Sequence, residues 1–329
     1  MTDQGTVSNQ GTAPLFLCKN GEAECRLCPR NCGVDRTAGH KGFCGQDSRI
    51  IVGRAALHMW EEPCISGSSG SGTVFFSGCN LRCVFCQNKD LSRASKGIEV
   101  SVGRLADIFV ELQDKNANNI NLVTPTHYVP QIISALELAR NRGLRLPVVW
   151  NCGGYESVDT LRMLEGYVDV WLPDFKYKSD ELAMRYSGAG DYFERASAAI
   201  AEMVRQTRGQ CVFDKNGIMT RGVIVRHLVL PGQTADSKRV LRYLHETYGD
   251  KIYISIMSQF TPVTDLTDYP EINRTLMEEE YNRVTEFATR IGIQNGFIQQ
   301  GETAKESFIP AFDGEGVLPA GQSDRTEII

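Results

Sequence analysis

The chain has 329 residues and a formal net charge of −5 at pH 7. This length suits one large domain, alone or with a small additional module. The negative charge excludes a broad nucleic-acid-binding surface, because phosphate binding needs concentrated Lys and Arg. No stretch is long and apolar enough to span a bilayer, and residues 1–14 lack the basic and apolar regions of a secretory signal. We therefore expect a cytoplasmic protein without a nucleic-acid or membrane partner.

The 11 cysteines are many for a protein of a reducing compartment. Persistent disulfides are rare there, so clustered cysteines indicate metal ligands. Seven of them fall into two groups, one between residues 25 and 44 and one between residues 79 and 86. A single cysteine is usually a small buried hydrophobic residue. This interpretation applies to the scattered ones, which are Cys18, Cys64, Cys152 and Cys211.

The first part of the chain predicts a polar tail followed by a small cysteine-rich module. Residues 1–14 are expected to form a flexible tail, and residues 15–64 a metal-binding module. Four soft ligands fit either zinc or a second four-iron cluster. These ligands are Cys25, Cys28, Cys32 and Cys44.

Three polar residues near the end of this module allow two interpretations. His58, Glu61 and Glu62 surround Trp60. They could face the active site, or they could form a solvated turn before Pro63. The sequence leaves both open.

The next segment predicts a connector and then an α/β core. Residues 65–72 read ISGSSGSG, which indicates a flexible linker. From residue 73 onward apolar strands alternate with amphipathic helices, which predicts a parallel sheet with right-handed crossovers. The predicted strands are 73–76, 120–123, 147–151, 168–172, 223–230 and 252–256. The predicted helices are 101–112, 130–139, 157–164, 192–206, 234–246 and 278–291.

About six strand–helix units predict a partial (β/α)6 barrel rather than a closed eightfold one. A doubly wound open sheet fits the periodicity nearly as well. Residues 65–300 would form this core, and residues 301–329 a C-terminal extension that is loose after Gly314.

A loop of three cysteines follows the first predicted strand of the core. Cys79, Cys83 and Cys86 have the spacing C-x3-C-x2-C and lie where the strand ends, which is where active sites form in barrels and open sheets. A structural zinc site needs four protein ligands, and a four-iron cluster needs one ligand for each iron. Three cysteines would leave one iron open for a ligand with an amine and a carboxylate, such as S-adenosylmethionine (SAM).

This strand and loop resemble the radical SAM superfamily. The resemblance implies a radical SAM type of partial barrel, with a [4Fe–4S] cluster on Cys79, Cys83 and Cys86 and SAM as the second cofactor. It also implies reductive cleavage of SAM to methionine and a 5′-deoxyadenosyl radical, which abstracts hydrogen from a substrate. Phe85 occupies the aromatic position that lies near the adenine in the family. A flavodoxin- or ferredoxin-type protein would donate the electron.

Residues 73–300 further resemble the pyruvate formate-lyase activating enzyme and its relatives. After the second strand, relatives carry an acidic residue for the SAM amino group. Here Thr124 and Thr126 stand in that turn, so backbone carbonyls would take that role. His127 could contact SAM or substrate, or could simply begin a helix.

The resemblance assigns further residues at the ends of later strands. Asn151 would lie near the ribose, and Asp174 and Lys176 would line the SAM or substrate pocket. Arg226 would bind the SAM carboxylate through its planar donor fork. His227 would point the opposite way in a regular strand and is a weaker candidate. Gln259 would lie at the substrate rim.

Three function hypotheses remain open at this point. The first is a radical SAM enzyme acting on a small molecule. The second is an activase that generates a glycyl radical on a partner enzyme. The N-terminal four-cysteine segment resembles a branch of activating-enzyme-like proteins, whereas the minimal activating enzyme lacks it. The third is a non-enzymatic metal-binding or electron-transfer protein.

Overall fold

The computed structural model describes residues 24–262, 265–299 and 310–319. The predicted tail, Cys18, and residues 301–309 and 320–329 of the predicted extension lie outside the described residues. Within them, none of the helices has the length and apolar character needed to cross a bilayer.

The strands follow the alternating pattern of the sequence. They are β1 Ile50–His58, β2 Ser71–Phe76, β3 Ile98–Val100, β4 Ile120–Val123, β5 Val148–Cys152, β6 Val170–Pro173, β7 Val212–Phe213, β8 Met219–Leu228, β9 Tyr253–Met257 and β10 Gly296–Ile298. The helices are α1 Pro63–Ser66, α2 Lys89–Ser92, α3 Val102–Asp114, α4 Val129–Asn141, α5 Val158–Met163, α6 Asp180–Ser187, α7 Tyr192–Gln206, α8 Thr234–Tyr248 and α9 Glu278–Arg290.

One mostly parallel sheet organises the described part of the chain. Its strand order is β10-β9-β8-β6-β5-β4-β2-β1-β3, with β7 paired to β8. Pairing is parallel from β10 to β2 and antiparallel from β2 through β1 to β3. The two edge strands do not pair, so the sheet is not closed. The predicted α/β fold is confirmed, and each of the six predicted strands corresponds to a parallel strand.

Burial on both faces explains why the sequences of these strands are continuous apolar runs. Every residue of β4 and β6 is buried, as expected when helices cover both faces of a parallel sheet. Trp150 on β5 and Trp171 on β6 are fully buried and meet edge to face. The helix start predicted at Ser101 is also present, because the Ser101 hydroxyl accepts the Arg104 N–H at 3.1 Å. The core therefore holds the carboxyl ends of the strands in fixed relative positions.

The prediction of a flexible connector at residues 65–72 is wrong. Ile65 lies in α1 and is fully buried, and Ser71 already belongs to β2. The Ser71 hydroxyl donates to Asn119 Oδ1 at 2.6 Å, and Asn119 Nδ2 donates to the Ile65 carbonyl at 2.8 Å. The small residues permit close packing here rather than mobility. The domain boundary predicted at residue 64 falls between β1 and β2, which pair with each other; the division itself stays a prediction.

The segment after Gly314 is not loose where the structure describes it. The Glu315 carbonyl accepts the Ala55 N–H at 2.8 Å, so the segment attaches to β1. Val317 is fully buried, and Arg104 donates to its carbonyl at 2.8 Å. Apolar burial and satisfied backbone groups hold this segment despite its polar composition.

Replacing Gly316 with alanine is expected to detach residues 310–319 from β1. Gly316 has φ +72°, and a Cβ there would lie 2.0 Å from the Ala55 carbonyl oxygen. We expect a loss of about 1–3 kcal/mol in the free energy of unfolding and faster proteolysis within the segment. Urea unfolding and limited proteolysis measure both.

Gly103 in α3 provides the matched control, because a Cβ there meets nothing closer than the Ser101 hydroxyl at 3.7 Å. The Gly103→Ala variant should keep wild-type proteolysis. A Gly316→Ala protein as stable and as protease-resistant as wild type would contradict the described attachment.

Candidate active site

The three-cysteine loop begins where β2 ends. The Leu81 N–H donates to Cys79 Sγ at 3.4 Å, and the Ser187 hydroxyl donates to Cys83 Sγ at 3.0 Å. Burial and Cys83 raise the pKa of Cys86, and the nearby Ser92 hydroxyl opposes this effect. Donors directed at sulfur stabilise thiolates, which are the ligand form that iron binds.

The environment of these thiols suits a metal cluster. Burial first, and then the neighbouring Cys83 and Cys86, raise the pKa of Cys79 to about 12. Buried thiols whose ionised forms repel one another lose their protons when they bind a positively charged metal. No group of His, Cys, Asp or Glu in residues 24–262, 265–299 and 310–319 could hold a single metal ion. A four-iron cluster does not require such convergence, because each cysteine binds a different iron. The three cysteines therefore fit a [4Fe–4S] cluster.

The N-terminal cysteine segment packs directly on this loop. Gly78 precedes Cys79, and a Cβ there would lie 2.8 Å from the Cys44 carbonyl oxygen. Arg30 donates through Nε to the Asn80 carbonyl at 2.8 Å and through Nη2 to the Ser187 carbonyl at 2.9 Å. The segment is therefore part of the surroundings of the three-cysteine loop.

The four N-terminal cysteines influence one another electrostatically. Burial raises the pKa of Cys28, and Cys44 and Cys25 raise it further. Burial also raises the pKa of Cys44, with smaller contributions from Cys25 and Cys32. The Phe43 N–H donates to Cys32 Sγ at 3.2 Å. These four cysteines thus form a second group with the donor chemistry of a metal site.

A cavity of about 210 Å³ lies beside the three-cysteine loop. We call it the cluster cavity. Its walls include Cys83, Phe85 and Cys86 of the three-cysteine loop and residues at the ends of β5, β6 and β8. Trp60, after β1, and Pro310, in the C-terminal segment, also line it. The predicted residues at its wall are Phe85, Asn151, Asp174, Lys176, Arg226 and Gln259. Parallel strands bring these side chains together at one edge of the sheet.

Arg226 is the centre of a buried polar network in this cavity. Its Nε donates to Asp174 Oδ1 at 3.0 Å, its Nη2 to Asn151 Oδ1 at 2.5 Å, and its Nη1 to Glu61 Oε2 at 3.2 Å. Lys176 Nζ lies 2.5 Å from Asp174 Oδ2. Burial alone would raise the pKa of Asp174, but Lys176 and Arg226 hold it below its usual range. Asp174 is therefore ionised at neutral pH.

Glu61 enters the cavity from the loop after β1, so of the two interpretations of this segment the structure supports the one that faces the site. Its Oε1 accepts from Asn121 Nδ2 at 3.1 Å and from Asn151 Nδ2 at 3.3 Å. Burial raises the pKa of Glu61, and Arg226 opposes this effect. His58 and Trp60 also line the cavity.

Several predicted residues lie outside this cavity wall, and their proposed roles stay predictions. The Thr124 N–H donates to the Asn151 carbonyl, and the Thr126 hydroxyl donates to Glu156 Oε1 at 2.8 Å. His127 is buried with Nε2 2.7 Å from the Ser77 carbonyl oxygen; burial first, and then Arg36, lower its pKa to about 3. His227 points away from the cavity, with Nδ1 2.7 Å from the Phe175 carbonyl oxygen.

Glu156 is a buried acid that the sequence reasoning missed. Burial raises its pKa to about 8. It follows the Gly153-Gly154 turn, and an acidic residue after such a turn is the signal that would have drawn attention to it. A buried carboxyl group titrating near neutral pH is a candidate functional group.

The family model described as the Radical SAM superfamily matches residues 73–244. The chain therefore belongs to the radical SAM superfamily. Membership implies an enzyme of radical chemistry with a [4Fe–4S] cluster and SAM as cofactors.

Similar proteins extend over most of the chain. Two uncharacterized proteins of Methanocaldococcus jannaschii are 29% and 23% identical over 289 residues each, covering 84% and 79% of this chain and 78% and 79% of theirs.

Solved structures are more distant. Methylornithine synthase (PylB) has a TM-score of 0.47 and 15% identity, covering 74% of this chain and 70% of its own. The anSMEcpe protein with bound AdoMet has a TM-score of 0.46 and 14% identity, covering 65% and 57%. Streptococcus suis SuiB bound to S-adenosylmethionine has a TM-score of 0.46 and 13% identity over 68% of this chain, which spans about half (48%) of that protein.

Proposed function

We propose that this protein is a radical SAM enzyme that abstracts hydrogen from a small-molecule substrate. The observation that carries the proposal is the cluster cavity, where the three-cysteine loop meets the buried network around Arg226. When bound and reduced by an external one-electron donor, the cluster would supply the electron for reductive cleavage of SAM to methionine and a 5′-deoxyadenosyl radical. Cys79, Cys83 and Cys86 would hold it.

The protein side chains would bind and orient SAM. Arg226 offers a planar donor fork suited to a carboxylate, and Asp174 offers an ionised acceptor in the same wall. Asn151 has donor and acceptor groups at the end of β5, and Phe85 offers an apolar face beside Phe260. Such a buried polar wall orients a ligand and excludes water from the reacting atoms.

The size and walls of the cavity support a small substrate. Trp60 and Glu61 line it from the segment after β1, and Pro310 lines it from the C-terminal segment. These segments line the space of about 210 Å³ in which SAM would bind, so the described residues leave little room there for the loop that a partner enzyme must insert. Activation of a partner, as in activating-enzyme relatives, is therefore the second candidate. A flavodoxin- or ferredoxin-type protein is the proposed electron donor.

Addition of SAM to the reduced protein should change the electron paramagnetic resonance signal of the cluster. This change is expected because SAM would bind the iron that has no cysteine ligand. Anaerobically reconstituted protein is titrated with SAM, and S-adenosylhomocysteine, which lacks the sulfonium methyl group, is the comparison ligand. A signal that SAM leaves unchanged at saturating concentration counts against the proposal.

We also propose that Cys25, Cys28, Cys32 and Cys44 bind a second metal group, either zinc or a second [4Fe–4S] cluster. Zinc would require the four sulfur atoms to move closer together around one ion, because the described side chains do not converge on a single-ion position. Metal analysis decides between them. A second cluster predicts about eight irons per chain, whereas zinc predicts about four irons and about one zinc. The Cys28→Ala variant should lose the second group and keep the catalytic iron. A Cys28→Ala protein with unchanged metal content would contradict this site.

A further inference from the structure

A second cavity, of about 340 Å³, adjoins the cluster cavity. The two share part of their walls, including Glu61, Arg226 and Gln259. The second cavity reaches on to β9 and β10, where Ser255 and Phe297 line it. Its volume falls within the range of small-molecule sites. A ligand in it would lie next to a ligand in the cluster cavity.

Glu62 in the wall of this second cavity has an unsatisfied carboxylate oxygen. The residue is 8% exposed, and its Oε2 atom is buried with no hydrogen-bond partner among the residues that the structure describes. Burial raises the pKa of Glu62, and Arg226 and, to a smaller extent, the nearby Ser255 hydroxyl oppose this effect. Its neighbour Glu61 differs, because three side chains donate to it. A buried carboxylate oxygen without a donor costs free energy that a ligand donor would recover.

The charges around the two cavities do not balance. Among the described residues that line the two cavities, three carboxylates, Glu61, Glu62 and Asp174, share two cations, Arg226 and Lys176. Arg226 already contacts Glu61 and Asp174, so Glu62 is the carboxylate left without a direct ion pair in these contacts. His58 does not supply the missing charge, since burial, Arg54 and Arg226 all lower its pKa. An uncompensated buried negative charge calls for a proton or a cation.

We propose that Glu62 and the second cavity form a subsite for a cationic nitrogen group of the substrate, either a primary ammonium or a guanidinium. This inference rests on the proposed function, which places SAM in the neighbouring cavity. The ammonium would donate to Glu62 and pair with the carboxylate that has no direct ion pair in the contacts above. Trp60 and Phe297 provide aromatic surface in the same cavity, which suits a cation and the carbon chain attached to it. The substrate class is thus a small molecule that carries an ammonium or a guanidinium group.

Three probes of equal length test the subsite on the full-length, cluster-loaded protein. Butylammonium, 1-butanol and butyrate share a four-carbon chain and differ in the charge of the terminal group. Ligand-observed NMR titration gives the dissociation constant of each. We expect butylammonium to bind at least about tenfold more tightly than 1-butanol, because a charge-assisted hydrogen bond forms, and butyrate to bind most weakly.

The Glu62→Gln variant should reduce the preference for butylammonium over 1-butanol to within about twofold. The control is Glu246→Gln, which changes an exposed glutamate on α8 and should keep the wild-type preference. Equal binding of butylammonium and 1-butanol to the wild-type protein overturns the inference. Because this comparison uses only the wild-type protein, it holds even if a variant fails to fold. A preference that survives in Glu62→Gln also overturns it.

A SAM titration of the same samples separates this inference from the proposed function. If the protein binds SAM but shows no preference for butylammonium, the proposed subsite is ruled out and the proposed function is unaffected. If the protein does not bind SAM but shows a butylammonium preference that depends on Glu62, the proposed function is ruled out and a cation site remains. Glu62→Gln should bind SAM as wild type does, because Glu62 does not line the cluster cavity.

Discussion

Replacing Cys83 with alanine is expected to remove the catalytic cluster and to lower SAM cleavage by at least about 10³-fold, or about 4 kcal/mol of activation free energy. Cys83 is buried between the cavity and the Ser187 hydroxyl, and it influences the pKa of Lys176 across the cavity. Without this ligand only two cysteines of the loop would hold the irons. Anaerobic reconstitution followed by iron analysis and product chromatography measures both effects.

Cys211 provides a matched control for that experiment. It is a partly buried cysteine that belongs to neither cysteine group and lies near the Lys251 carbonyl. The Cys211→Ala variant should retain the iron content and the activity of the wild-type protein. If Cys83→Ala kept a full complement of iron and cleaved SAM, the assignment of the three-cysteine loop would be wrong.

Replacing Arg226 with methionine is expected to cost about 3–5 kcal/mol of unfolding free energy and to abolish SAM binding. The substitution removes the shared partner of Glu61 and Asp174, and breaking a buried ion pair leaves an uncompensated charge. Urea unfolding of proteins in the same metal state gives the stability, and SAM titration gives the affinity.

Two further variants separate the charge effect from a loss of packing. Glu61→Gln combined with Arg226→Met removes one of the orphaned charges and should recover part of the lost stability. Arg142→Met breaks an exposed pair with Asp107 and should cost at most about 1 kcal/mol. An Arg226→Met protein that is within about 1 kcal/mol of wild type and still binds SAM would contradict the described network.

Local sequence patterns were enough to predict the parallel core. The α/β class follows from continuous apolar runs such as residues 120–123, which coincide with β4. The cap at Ser101 and the helix α7 were also predictable, because both depend on neighbouring residues. Asp174 and Lys176 directly follow β6, and their side chains meet, as a spacing of two residues after a strand suggested.

Long-range packing explains what the sequence could not predict. Glu61 meets Arg226 across 165 positions of the chain, and this contact depends on β1 joining the sheet. No local pattern encodes that pairing, and the small residues of the ISGSSGSG segment even suggested mobility. In the same way, the burial of Val317 depends on α3 and β1 rather than on its polar neighbours.

The most direct test of radical SAM chemistry is the formation of 5′-deoxyadenosine. Anaerobically reconstituted, dithionite-reduced protein is incubated with SAM, and the products are separated by liquid chromatography and mass spectrometry. We expect 5′-deoxyadenosine and methionine in equal amounts, and neither product from Cys83→Ala. A wild-type protein that holds an intact, reduced cluster and forms no 5′-deoxyadenosine would contradict the central claim.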